Sequence, residues 1–252
     1  MEESMITSVQ NARVKHVVAL QQKSSLRREE GLFVVEGQRE IGHCMACGYE
    51  VVELYKKGEN VTPQVYEKMA YRESTESLIA VARCKAHRLA DLRLGRAPMM
   101  VVLERVEKPG NLGAILRTAE AAGMDAVIVC DPLTDLYNPN LIRASIGGVF
   151  HVPTAVCTSE ACIDFLKARR INILTAQLQD SSEYYDYDMT SATAIVMGTE
   201  STGLTRQWRE AADAHIRIPM LGRLDSLNVS VSAAILMYEA VRQRRGMKKE
   251  EY

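Results

Sequence analysis

Hydrophobic positions along the chain follow two regimes. In the first, short periodic and alternating segments succeed one another. They predict a helix near Val9 to Gln22, a strand at Leu32 to Glu36, a helix at Gln38 to Cys47, a strand at Val51 to Lys56, a helix near Pro63 to Tyr71 and a strand at Leu78 to Ala82. From Met99 onward the strands are nearly unbroken apolar runs, at Met99 to Leu103, Ala126 to Cys130, Ile171 to Ala176, Ala194 to Met197 and Ile216 to Ile218. Such runs mark strands covered on both faces. Helical patterns lie between them at Leu112 to Ala122, Pro139 to Ser145, Glu160 to Arg170, Thr205 to Ala212 and Val229 to Gln243. That alternation predicts an α/β fold with a doubly wound parallel sheet, preceded by a smaller α/β domain. The stretch His87 to Pro98, rich in Arg and Leu and carrying Gly95 and Pro98, puts the junction near residue 96, giving domains over 1–96 and 97–252.

Composition adds limits. A chain of 252 residues suits two domains that each bury a core, and 47% hydrophobic with 25% charged residues is ordinary for a folded protein. No apolar run approaches the ~18–20 residues that span a bilayer, no signal peptide is seen, and Cys44, Cys47, Cys84, Cys130, Cys157 and Cys162 are scattered, so a cytoplasmic protein with reduced thiols is expected. Cys44 and Cys47 form a C-x-x-C without a second pair, and His43 nearby does not complete a ligand set, so no metal is expected.

The net charge of −1 gives no general attraction for phosphate, so any nucleic-acid site must be local. Arg13, Lys15, Lys23, Arg27 and Arg28 fall in a segment without an acidic residue, and Arg242, Arg244, Arg245, Lys248 and Lys249 crowd the end of the chain. Either cluster could equally be a solvated helix surface or a frayed terminus. The acidic, Tyr-rich stretch Gln179 to Met189 is open to two readings, a substrate loop or a surface connection, and the second is favoured because an acidic loop would repel phosphate.

Open α/β sheets bind ligands beyond the carboxyl ends of their strands, so the residues just after each apolar run carry the information. Three segments stand out: Asn111-Leu-Gly113-Ala-Ile-Leu-Arg117; Gly198-Thr-Glu200-Ser-Thr-Gly203-Leu204; and Pro219-Met220-Leu-Gly222-Arg223-Leu-Asp-Ser226-Leu227-Asn228-Val-Ser230. Each alone is ordinary loop and capping chemistry, and Asn228 could simply cap the last helix. Together they gather an Arg, a Glu, a Ser, two Asn and several Gly at one edge of a sheet. No G-x-G-x-x-G follows a strand and no P-loop pattern occurs, which disfavours dehydrogenases and P-loop enzymes.

In these three segments, in order, the chain resembles the SpoU family of RNA ribose methyltransferases, with Ile218-Pro219-Met220 and Ser226-Leu227-Asn228 matching closely. Asn11-Ala-Arg13-Val-Lys15 and Phe33-Val-Val-Glu36-Gly37 are similar to the substrate-binding domain attached to many members, a domain that resembles ribosomal protein L30e-like RNA-binding domains. The resemblance implies a trefoil knot in the catalytic domain, a homodimer and S-adenosylmethionine as methyl donor. It also implies transfer to a ribose 2′-hydroxyl of a structured RNA, ribosomal RNA before transfer RNA. It assigns Arg117, Asn111, Glu200, Ser226 and Asn228 to catalysis and Gly198, Ile218, Met220, Leu227 and Asn228 to the cofactor, with Thr175 and Ala176 as lesser candidates. Arg13, Lys15, Arg27 and Arg28 are the candidate RNA contacts. The family's assignment of proton removal to Arg117 is chemically awkward, because a guanidinium is not deprotonated in proteins. Holding phosphate and stabilising a developing alkoxide, with water or phosphate taking the proton, is the alternative. Two other readings stay open: an RNA-binding protein that keeps the fold without catalysis, and a small-molecule enzyme with a Rossmann-like site.

Overall fold

A computed structural model describes residues 5–71, 76–199 and 202–247. The chain forms two compact units, one of residues 1–86 with 135–151 and one of residues 87–134 with 152–252.

The first unit opens with α1 (Ala12–Gln22), whose start is fixed by Asn11: its side-chain oxygen accepts a hydrogen bond from the Arg13 amide at 2.9 Å. Val14, Val17 and Leu20 recur at helical spacing and are fully buried. A second helix, α2 (Ser24–Glu30), stops at Gly31 in the left-handed conformation (φ 64°). Then come β1 (Leu32–Glu36), α3 (Gln38–Ala46), β2 (Val51–Lys56), α4 (Pro63–Met69) and β3 (Leu78–Arg83). Thr62 caps α4 and Pro63 occupies its first turn. The strands pair antiparallel in the order β1-β3-β2.

The second unit begins at His87. Leu89, Leu92 and Leu94 pack against its core, so the Arg- and Leu-rich stretch is part of this unit rather than a linker. Next are β4 (Met99–Glu104), α5 (Pro109–Ala122) and β5 (Ala126–Cys130). The chain then returns to the first unit with α6 (Pro139–Ser145) and α7 (Gly148–His151). There Tyr137 stacks on Phe33 with centroids 4.2 Å apart, and Phe150 lies 6.1 Å from the same ring. The helical pattern at Pro139 to Ser145 is thus a helix of the first unit and no part of the alternation that builds the large sheet.

The second unit resumes with β6 (Thr154–Cys157), α8 (Ser159–Ala168), β7 (Asn172–Ala176), the two-residue β8 (Ser182–Glu183), β9 (Thr193–Met197), α9 (Arg206–Ala211), β10 (Ala214–Arg217) and α10 (Val229–Met247). All seven strands run parallel in the order β6-β5-β4-β9-β7-β10-β8. Every residue of β4, β5 and β9 is buried, as their unbroken apolar runs predict. The direction of winding reverses between β4 and β9, which brings the loops after β7, β9 and β10 together at one edge.

Candidate active site

The loops that follow β7, β9 and β10, with the start of α10, enclose a cleft of about 700 Å³. The loop after β9 is shaped by a glycine that nothing else can replace. A Cβ on Gly198 would lie 2.3 Å from the Gly203 carbonyl carbon and 2.6 Å from the Leu204 nitrogen. The chain folds back on itself here. The Gly203 amide donates to the Thr199 carbonyl at 3.0 Å, Thr199 and Thr202 share a side-chain hydrogen bond of 2.8 Å, and Gly203 takes φ 66°.

Most of the expected cofactor residues meet in this cleft: Gly198, Ile218, Met220, Leu227, Asn228 and Ala176 all line it, as does Ser226. Thr175 does not. Successive strand residues face opposite sides, so while Ala176 borders the cleft, Thr175 is fully buried with its hydroxyl 2.6 Å from His215 Nδ1. Glu200 lies outside the described residues.

Asn111 and Asn228 come together from elements far apart in sequence. Asn228 Nδ2 donates to Asn111 Oδ1 at 3.1 Å, while Asn228 Oδ1 accepts from the Ser230 amide at 3.0 Å and the Ser230 hydroxyl at 2.6 Å. Asn228 therefore both caps α10 and reaches the first turn of α5. Asn111 borders a smaller cavity of about 130 Å³, which shares Gly198, Thr199 and Val229 with the main cleft. Arg117 is exposed on α5 and borders neither cavity. Six residues on a helix are ~1.7 turns, which turns Arg117 away from the face that carries Asn111.

Sequence reasoning missed Gln177, Arg209, Asp225 and Ser232, which also border the cleft. Gln177 is the most informative of these. Its Oε1 is buried without a hydrogen-bond partner among the described residues, while its Nε2 donates to the Gln179 carbonyl at 2.9 Å. A buried acceptor without a donor is costly, by ~1–3 kcal/mol, and an incoming N–H group would satisfy it. Polarity just after an apolar strand was the available signal. Asp225, with Arg209 and Arg217, puts charges of both signs at the cleft wall. That suits a ligand carrying both an anionic carboxylate and cationic centres.

In the first unit the expected RNA contacts separate. Lys15 and Arg28 are exposed. Arg13 stands 3.7 Å from Glu53 and over the Tyr55 ring. Arg27 is withdrawn from solvent altogether: only 3% exposed, it pairs with Asp135 at 2.5 Å and donates to the Leu20 and Gln21 carbonyls. The expectation for Arg27 is corrected, because its charge is spent on closing helix ends inside this unit.

The SpoU rRNA Methylase family description matches residues 98–238, and the MRM3-like substrate binding domain matches residues 11–60. The chain is 29% identical over 242 residues to a Bacillus subtilis 23S rRNA (guanosine(2553)-2′-O)-methyltransferase, covering 92% of this chain and 97% of that protein. The crystal structure of an RNA 2′-O ribose methyltransferase aligns with a TM-score of 0.84 and 36% identity, over 96% of this chain and 99% of that one. The crystal structure of an AdoMet-bound rRNA methyltransferase from Sinorhizobium meliloti aligns with a TM-score of 0.89 and 28% identity, over 95% and 97%.

Proposed function

Since the chain belongs to the SpoU rRNA methylase family, we propose that it transfers a methyl group from S-adenosylmethionine to a ribose 2′-hydroxyl of ribosomal RNA. The observation that carries this reading is the cleft of about 700 Å³ at the sheet's carboxyl edge, walled by the two loops that the second and third family signatures occupy, with Asn111 of the first signature hydrogen-bonded to Asn228 in its wall. The residues present suit the cofactor. The unpartnered Gln177 Oε1 would accept from the adenine amino group, Ile218, Met220 and Leu227 offer apolar contact, and the tight turn at Gly198 brings main chain to the cleft wall. When bound, the cofactor supplies an electrophilic methyl on a sulfonium centre.

The chain's own groups then have separate tasks. The Asn111–Asn228 pair stands where the two cavities meet and would orient the ribose. Arg117, on the outer face of α5, would hold a backbone phosphate and so position the ribose whose 2′-oxygen forms the bond to carbon. The carbon–sulfur bond breaks as that bond forms, and the hydroxyl proton leaves to water or phosphate. Lys15 and Arg28, exposed in the first unit, would neutralise RNA phosphates. The homodimer, the knot and a cytoplasmic location, which the resemblance and composition imply, belong to the same reading. No helix among the described residues is long and apolar enough to cross a membrane.

The test is direct. Mapping 2′-O-methyl sites in total RNA from cells with and without the gene should reveal a ribosomal RNA site that depends on it. A map unchanged by deletion, together with no S-adenosylmethionine binding by calorimetry, would refute the proposal.

A further inference from the structure

Three cysteines far from one another in sequence converge on the opposite half of the sheet's carboxyl edge. Cys130 ends β5 and Cys157 ends β6, in direct register, and Cys162 reaches the same point from α8. Their Sγ atoms all lie within 4.8 Å of one another, with Cys130 and Cys157 4.0 Å apart. Cys130 and Cys162 are buried, and Cys157 is half-exposed. Among the described residues no other group of this kind brings three sulfur, imidazole or carboxylate ligands so close.

Sulfur atoms at three corners of a tetrahedron around a metal, with metal–sulfur bonds of ~2.3 Å, are ~3.8 Å apart. The cluster already has nearly that spacing, so closing it on an ion needs side-chain adjustment and no movement of strands. We propose that Cys130, Cys157 and Cys162 bind a thiophilic divalent cation of the zinc type, with three sulfur ligands and one position left to solvent beside Cys157. Three thiolates exclude hard ions such as magnesium and calcium, which take oxygen ligands.

Cys157 is the one thiol of the three that is partly exposed, so an ion reaches the cluster past it. Each thiol that ligates releases its proton to solvent as a sulfur lone pair forms the metal–sulfur bond, and no electron is transferred. Occupancy therefore rises with pH.

The experiment uses the reduced, chelator-treated full chain titrated with Cd²⁺ alone, and then with Zn²⁺ as competitor. One equivalent of Cd²⁺ should produce a sulfur-to-metal charge-transfer band in the near ultraviolet, and Zn²⁺ should abolish it. Cys157→Ser should weaken Cd²⁺ binding at least tenfold, and Cys47→Ser should leave it unchanged. If Cys157→Ser fails to fold, alkylation of wild type decides: bound Zn²⁺ should protect Cys157 from an iodoacetamide probe read by mass spectrometry. Absence of the band at one equivalent, a band unaltered in Cys157→Ser, or a chain that loses two hydrogens to a disulfide without taking up metal would each overturn the proposal.

Discussion

The two halves of one sheet edge behave in opposite ways. On one side β4, β5 and β6 end in Glu104, Cys130 and Cys157; on the other β9, β7 and β10 end in Met197, Ala176 and Arg217. The first side is roofed by the starts of α8 and α9, whose Ser159 and Thr205 bond to its strand ends. Glu104 is 1% exposed and accepts from the Thr205 amide at 2.8 Å and the Thr205 hydroxyl at 2.6 Å. Ser159 Oγ lies 2.6 Å from Asp131 and accepts from the Trp208 indole at 3.0 Å. The second side has no such roof. Its third loop leaves Leu221 98% and Leu224 79% exposed, and it leaves Gln177 Oε1 without a donor. Parallel topology delivers polar residues to both halves. Whether they bind each other or wait for a ligand depends on whether a helix covers them.

That contrast can be broken from either side. The largest effect should come from the closed half: Glu104→Ala orphans the Thr205 amide and hydroxyl and opens a void, and should cost about 3 kcal/mol or more. The measurement is urea unfolding, and a loss under about 1 kcal/mol would contradict the roofed network. On the exposed face of α5, Arg117→Ala should reduce methyl transfer by roughly 10²-fold while cofactor affinity stays within about twofold, as expected of a group that positions the RNA and not the cofactor. Single-turnover assays with calorimetry separate the two, and activity within a few-fold of wild type removes Arg117 from the chemistry.

Gly198→Ala drives a methyl into the Gly203 backbone, a strain of about 1–3 kcal/mol that should appear as roughly 10- to 100-fold weaker S-adenosylmethionine binding. Equal affinity would place the cofactor elsewhere. Asn228→Ala should cost about 1 kcal/mol through its lost cap on α10. It should also lower turnover more than Ser230→Ala, which leaves the Asn111 contact in place. The smallest change in stability, within about 0.5 kcal/mol, is expected for Lys15 and Arg28 together converted to Gln. That pair should instead flatten the log-log salt dependence of RNA binding by up to about 0.9 per lost phosphate contact, read by filter binding across a salt series.

Much of this was readable from the chain. Unbroken apolar runs gave β4, β5, β7, β9 and half of β10, and the positions after them located the cleft. The four-residue β6 escaped notice because Thr154-Ala-Val-Cys157 is too short for a pattern and half of it is only partly buried. The short α2 hid inside a run of Ser and charged residues. Arg27 and Arg28 are adjacent and alike in composition, yet one is an internal clamp and the other is solvated. Only the partner from the 135–151 segment tells them apart. The thiol cluster was missed for a related reason. Attention to close spacing selected Cys44 and Cys47, whereas the three sulfurs that meet come from three different elements. Burial raises the Cys44 thiol to about 12, which suits a small apolar side chain.

The excursion of residues 135–151 into the first unit has a consequence for synthesis on the ribosome. Phe33 gains Tyr137 and Phe150, and Arg27 gains Asp135, only when that late segment has been made. At translation rates of ~5–20 residues per second, the 65 residues between Ala86 and His151 impose a wait of roughly 3–13 s. During that interval β4 and β5 of the other unit are already emerging. The amino-terminal unit can pair its three strands early, yet Phe33 stays without its aromatic cover and Arg27 without its carboxylate until the middle of the other unit has been made.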